Sequence, residues 1–182
     1  EHQLKKILEK YKGQTIVVSH DIHESYRLCR ELAIFHQGKV LEYGKKEMIF
    51  EQPKHLEVAQ ITGCKNISFA KEIIKDNKKH IFCNDWNIHI SLSHEIDNTL
   101  TSVGIRAHHI VWCSKKEDID NTYKIRIVDQ AISPFRVMLY FQIDENSIQS
   151  NAVLQWDISR EEWDQIPFGK EDVFVHFPED KL

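Results

Sequence analysis

The chain has 182 residues, 41% hydrophobic and 29% charged, which suffices for one medium core or two small ones and excludes a disordered chain. Lys and Arg total 24 against 28 Asp and Glu, and the deficit is uneven: residues 1–66 carry 11 basic and 9 acidic side chains, residues 67–182 carry 13 and 19. So acidic a back half argues against a partner with a phosphate backbone, which clustered Lys and Arg would attract, and no nucleic acid is expected.

The chain opens without Met at Glu1-His2-Gln3 and runs straight into a helical pattern, Leu4, Ile7, Leu8 and Tyr11, so it reads as a fragment or cleaved product. Lys12-Gly13 is a helix stop. Thr15-Ile16-Val17-Val18 follows, a β-branched run without alternation, as expected of a strand buried on both faces. It ends in polar Ser19-His20-Asp21, and Asp21 can cap a second helix over about Ile22 to Arg30, with Glu24 near the positive end of its dipole. Leu32 to Phe35 and Lys39 to Tyr43 flank His36-Gln37-Gly38 and predict a tight hairpin. Lys46 to Phe50 and His55 to Ile61 predict short helices split by Pro53, and Thr62-Gly63 closes the second. From Asn66 the texture changes to period-two alternation. Ile88, Ile90 and Leu92 share one strand face; so do Tyr123, Ile125 and Ile127, and Val137, Leu139, Phe141 and Ile143. Turn clusters fall at residues 76–79, 97–98, 115–121, 133–134 and 144–146. Ser159-Arg160-Glu161-Glu162 is a capping box before a short helix to Gln165, and Val173 to Phe177 is a last strand.

The expected architecture is therefore α+β overall: residues 1–66 α/β in rhythm, residues 67–182 an all-β module of short strands. The longest uninterrupted apolar run, Val137–Phe141, falls far short of the roughly 20 residues of a membrane helix. No basic stretch followed by an apolar one opens the chain, which makes a reducing, cytoplasmic setting the default. Cys29, Cys64, Cys83 and Cys113 form no C-x-x-C pair, so isolated thiols are expected rather than a zinc site.

The chemistry concentrates where the apolar run delivers a histidine to its carboxyl end, the place where open α/β sheets hold ligands. The segment from Thr15 to Glu24, with Gly38-Lys39-Val40, Gly44, Pro53, Val58-Ala59 and Thr62 to Asn66, resembles the C-terminal part of the ATP-binding subunits of ABC transporters. The resemblance implies a truncated RecA-like nucleotide-binding remnant over 1–66, in which Ser19-His20-Asp21 is the switch loop and His20 touches the γ-phosphate of ATP. Such a contact suits imidazole, which donates to a phosphate oxygen through one nitrogen while the other holds a second partner. Arg30-Glu31 stands where many members have Asp-Arg. No G-x-x-x-x-G-K-[ST] loop, L-S-G-G-Q signature or strand ending in Asp-Glu is present, so the chain by itself is expected neither to hydrolyse ATP nor to hold it tightly; ATP and Mg²⁺ would serve the intact parent. Thr15 to Ser19 would then lack both neighbouring strands, leaving residues 1–30 without a settled place.

Val103-Gly104-Ile105-Arg106-Ala107-His108-His109-Ile110 resembles the G-I-R-P-E motif of TOBE domains, the OB-like modules of importer ATPases, with Ala107-His108 in place of Pro-Glu. The resemblance implies an OB-like TOBE barrel over 67–182, a homodimer, transmembrane permease partners, a cytoplasmic place on the inner face of the membrane, and regulation, with molybdate or another oxyanion among the ligands. A stand-alone oxyanion-binding module is the alternative. His20 with His23, and His108 with His109, lack the third donor a metal needs. Trp86, Trp112, Trp156 and Trp163 are expected to pack in the core, and Arg106 to pair with a carboxylate.

Overall fold

A computed structural model of the chain describes residues 2–75, 78–93, 100–113, 119–144, 151–169 and 171–182. Its internal contacts divide it into two units, Glu1–Gly63 and Cys64–Leu182.

The first unit comprises α1 (His2–Lys10), α2 (Ile22–Leu28), β1 (Glu31–His36), β2 (Lys39–Lys45), α3 (Lys46–Glu51) and α4 (Leu56–Ile61). The hairpin β1–β2 is antiparallel and turns through Gln37 and Gly38 at φ 47° and 76°, the doubly left-handed geometry that matches strand twist and favours glycine at its second position. Period two then puts Leu32 and Ile34 inward, where they form a small core with Ile49 and Val58, while Phe35, Val40 and Tyr43 stay exposed on the other face. The Glu42 carboxylate accepts the backbone N–H groups of Lys54 and His55, supplying from a strand the cap that α4 lacks locally.

One expectation fails here and one holds only in its second form. Thr15–Val18 is not a buried strand, in keeping with the expected lack of both neighbouring strands: it joins no ladder, and Ile16 and Val18 are 90% and 94% exposed. Four β-branched residues prefer extended backbone, but only neighbouring strands bury them, and among the described residues none lies alongside. The second helix ends at Leu28 rather than Arg30, because Cys29 turns extended at φ −102°, ψ 153°.

The second unit is built of antiparallel strands: β3 (Asn66–Lys75), β4 (Lys78–Cys83), β5 (Ile88–Ile90), β6 (Ser102–Ile105), β7 (Val111–Cys113), β8 (Thr122–Ile132), β9 (Arg136–Ile143), β10 (Leu154–Ser159) and β11 (Val173–His176), with α5 (Arg160–Gln165) between the last two. They form two sheets, ordered β5-β4-β3-β6 and β10-β9-β8-β11-β7. Val137, Leu139, Phe141 and Ile143 all point into the core, as their spacing predicts. Ile88 and Ile90 do likewise, whereas Leu92 lies past the end of β5 and packs at the core's rim. At Ile127 the β8–β9 ladder slips, and the bulge leaves Val128 exposed. The capping box forms as read, Ser159 Oγ accepting the Glu162 N–H while Glu162 accepts that of Ser159. Residues 76–77, 97–98, 115–118 and 145–146 of the expected turns lie outside the described residues; 133–134 do connect β8 to β9.

A side chain joins the two sheets. Asn66, 2% exposed at the start of β3, donates its Nδ2 to the Gln155 carbonyl at 2.8 Å and accepts the Gln155 N–H on Oδ1 at 2.7 Å, acting as one rung of a ladder against β10. Close approach is needed around it: a Cβ on Gly104 would stand 3.1 Å from Cys64 Sγ and 3.4 Å from the Asn66 carbonyl. Asn121 repeats the device, taking the N–H and C=O of Ser91. Asn66→Ala strips both partners from a half-buried peptide group, and a loss of about 2–3 kcal/mol is expected, read as a lower urea midpoint at unchanged slope.

Candidate functional site

His20 stands on a turn whose flanking residues Ser19 and Asp21 are both hydrogen-bonded to the start of α2. Asp21 caps α2, its Oδ1 accepting the N–H groups of His23 at 2.8 Å and Glu24 at 3.0 Å. The bond from the Glu24 amide is the chief reason the Asp21 carboxyl is held below its ordinary value, so the cap persists into mild acid. Ser19 Oγ accepts the Asp21 N–H at 3.1 Å and donates to Glu24 Oε2 at 2.7 Å, closing the turn from the other side. Behind it, Lys46 Nζ donates to the Tyr26 carbonyl at 2.7 Å and lies 4.6 Å from the centre of the Tyr26 ring, which meets Phe50 edge to face. The helix is thereby held to α3, and the His20 side chain projects exposed from a fixed backbone.

The positioning roles of Ser19 and Glu24 have a local sequence signal, a serine two before a capping aspartate with a glutamate three beyond it, which the sequence reading above does not use. His23 is exposed on α2, and among the described residues no three His, Cys, Asp or Glu side chains gather as a metal site would require. Of the tryptophans, Trp86 and Trp156 are fully buried, and Trp112 and Trp163 pack partly buried against the same core, Trp163 stacking on Phe168 at 4.5 Å. Arg106 is half-buried before the 3-10 turn Ala107–His109, and desolvation lowers its pKa. Burial pushes the Cys83 thiol up to about 12 and also raises that of Cys64, so both are inert at neutral pH.

A nucleotide needs a cradle of backbone amides and a lysine for its phosphates, and Mg²⁺ needs clustered oxygens. The described residues around His20 supply neither of these, and the exposed His20 imidazole stands beside the capped start of α2.

No family model matches the chain. It is nevertheless similar to ATP-binding proteins of importers. The spermidine/putrescine import ATP-binding protein PotA of Mycoplasmopsis synoviae is 28% identical over 127 residues, 69% of this chain and 27% of that protein. The same-named protein of Mesomycoplasma hyopneumoniae is 33% identical over 86 residues, 47% of this chain and 19% of that one. The methionine import ATP-binding protein MetN of Staphylococcus saprophyticus is 38% identical over 52 residues, 29% and 15% of the two chains. The chain thus spans about a quarter or less of the length of these relatives. A match of 127 residues is longer than the first unit and so necessarily enters the β unit. Among the described residues no helix is long and apolar enough to cross a membrane.

Proposed function

We propose that this chain is the C-terminal region of the ATP-binding subunit of an ABC importer. Its first 66 residues are the end of the nucleotide-binding domain, with His20 as the switch-loop contact to the terminal phosphate, and residues 67–182 are a TOBE-type module that pairs subunits or regulates them. The parent couples ATP hydrolysis to solute uptake, works as two copies at the inner face of the membrane, and docks there on permease subunits. ATP and Mg²⁺ are held mainly by residues beyond this chain.

The observation that carries this reading is the length of the PotA match, which joins both units to one import ATP-binding protein. The fixed turn under His20 supports the switch role, because a contact that senses one phosphate oxygen must be positioned before the phosphate arrives. The names of these relatives favour an organic solute, a polyamine or methionine, over an oxyanion. The test is ATP hydrolysis by the full-length subunit reconstituted with its permease. Turnover stimulated by a polyamine or by methionine is expected; a full-length protein that lacks a P-loop or does not hydrolyse ATP would overturn the assignment.

A further inference from the structure

The proposed phosphate contact makes no use of the histidine pair in the β unit, although its surroundings are unusual. The 3-10 turn Ala107–His109 is closed by the His109 N–H on the Arg106 carbonyl at 2.9 Å. It packs on β10, and the buried Trp156 indole donates to the Ile110 carbonyl at 3.0 Å, anchoring the end of the turn in the core. The two imidazoles meet edge to face with centroids 4.3 Å apart. Nδ1 of His109 is buried and has no hydrogen-bond partner among the described residues.

The charges around the pair are mostly positive. Arg106 precedes the turn, Arg136 of β9 and Asp157 of β10 act on His108, and Lys181 and Asp180 of the C-terminal 3-10 turn Glu179–Lys181 act on His109. Both carboxylates are already engaged, Asp157 by Arg136 at 2.7 Å and Asp180 by Lys181 at 3.0 Å. The C-terminal turn is tied down elsewhere, where the Glu179 carboxylate accepts the N–H and hydroxyl of Ser93 and Leu182 packs against the core.

We propose that this turn is an acid-operated latch that seats residues 106–110 on β10, closed by neutral imidazoles and opened when His109, with His108 beside it, takes up a proton. In the tautomer that keeps its proton on Nε2, the added proton goes to Nδ1 and creates a buried N–H with no acceptor among the described residues, and in either tautomer it places a cation among His108, Arg106 and Lys181. Burial first, then these cations, hold both imidazoles below the ordinary value of 6.5. Stability from groups lowered in this way is complete above 6.5, where folded and unfolded chains are both neutral. It is lost as pH falls from there toward the folded value, because the unfolded chain binds the proton first. The latch therefore holds at neutral pH and loosens in mild acid.

Hydrogen exchange of the whole chain at pH 7.5 and 5.5, corrected for intrinsic rates, tests this. Amides of residues 107–113 are expected to exchange about fivefold faster at the lower pH, because the unfolded turn binds the proton before the folded one does. In His109→Gln that acceleration is expected to fall to about twofold or less, while the other histidines, unchanged in the variant, cancel from the comparison. Should His109→Gln fail to fold, imidazole titration by NMR in the unmodified chain decides. His109 titrating below 6.5, with the Trp156 indole signal moving at the same pH, supports the latch. Undiminished acid acceleration in His109→Gln, or His109 titrating at or above 6.5 with the Trp156 signal unmoved, overturns it.

Discussion

In the full-length ATP-binding subunit proposed above, His20→Ala is expected to lower ATP turnover by about two to three orders of magnitude while nucleotide affinity changes by about twofold or less. One imidazole contributes little to binding a nucleotide held by many other contacts. A donor aimed at the terminal phosphate matters most when charge shifts during transfer, so the loss falls on the chemical step. Because Ser19, Asp21 and Glu24 hold the backbone on either side, truncating the exposed His20 ring leaves the turn in place. Single-turnover hydrolysis beside equilibrium nucleotide binding separates the two effects. Parallel losses in both, or an unchanged rate, would remove His20 from the role.

Trp156→Ala carries the largest expected cost in stability, about 3–5 kcal/mol. The side chain is 1% exposed at the centre of the β unit, and its removal opens a cavity between the sheets. It also orphans the Ile110 carbonyl, which the indole N–H reaches at 3.0 Å. For a domain whose whole stability is about 5–15 kcal/mol, that brings the β unit close to unfolding at 37 °C. Trp156→Phe keeps most of the packing and loses the hydrogen bond, and a cost of about 1–3 kcal/mol is expected. Urea denaturation monitored by far-UV circular dichroism measures both; equal costs for the two variants would assign the whole effect to the hydrogen bond.

Much of this architecture is written locally. Period two at Val137 to Ile143 has one solution, since a shift by one residue would expose four large side chains, and β9 follows it. The Ser159 capping box and the Gln37-Gly38 turn are equally local, each fixed within four residues by backbone donors or by the sign of φ. Thr15–Val18 shows the opposite case, because β-propensity states a preference for extended backbone and says nothing about whether a neighbour is there to pair with. The site divides the same way. Asp21 as a cap is legible from its place before an apolar periodic run, whereas the Lys46 bond that secures α2 crosses 20 residues and has no local signature. Nor could spacing indicate that His109 would lose its Nδ1 to the interior.

The Asn66 clamp also sets an order of events in time. It joins residues 89 apart in sequence, whereas β8 and β9 are linked by residues 133–135 alone and can zip as a ribbon within microseconds. Closing so long a loop costs entropy that is repaid only once both sheets exist, so the amide rung forms late, after the barrier to folding has been crossed. The penalty of losing it then falls on the escape rate: Asn66→Ala folds at nearly the parental speed and unfolds roughly 30 to 150 times faster, shortening the lifetime of the native β unit rather than delaying its arrival.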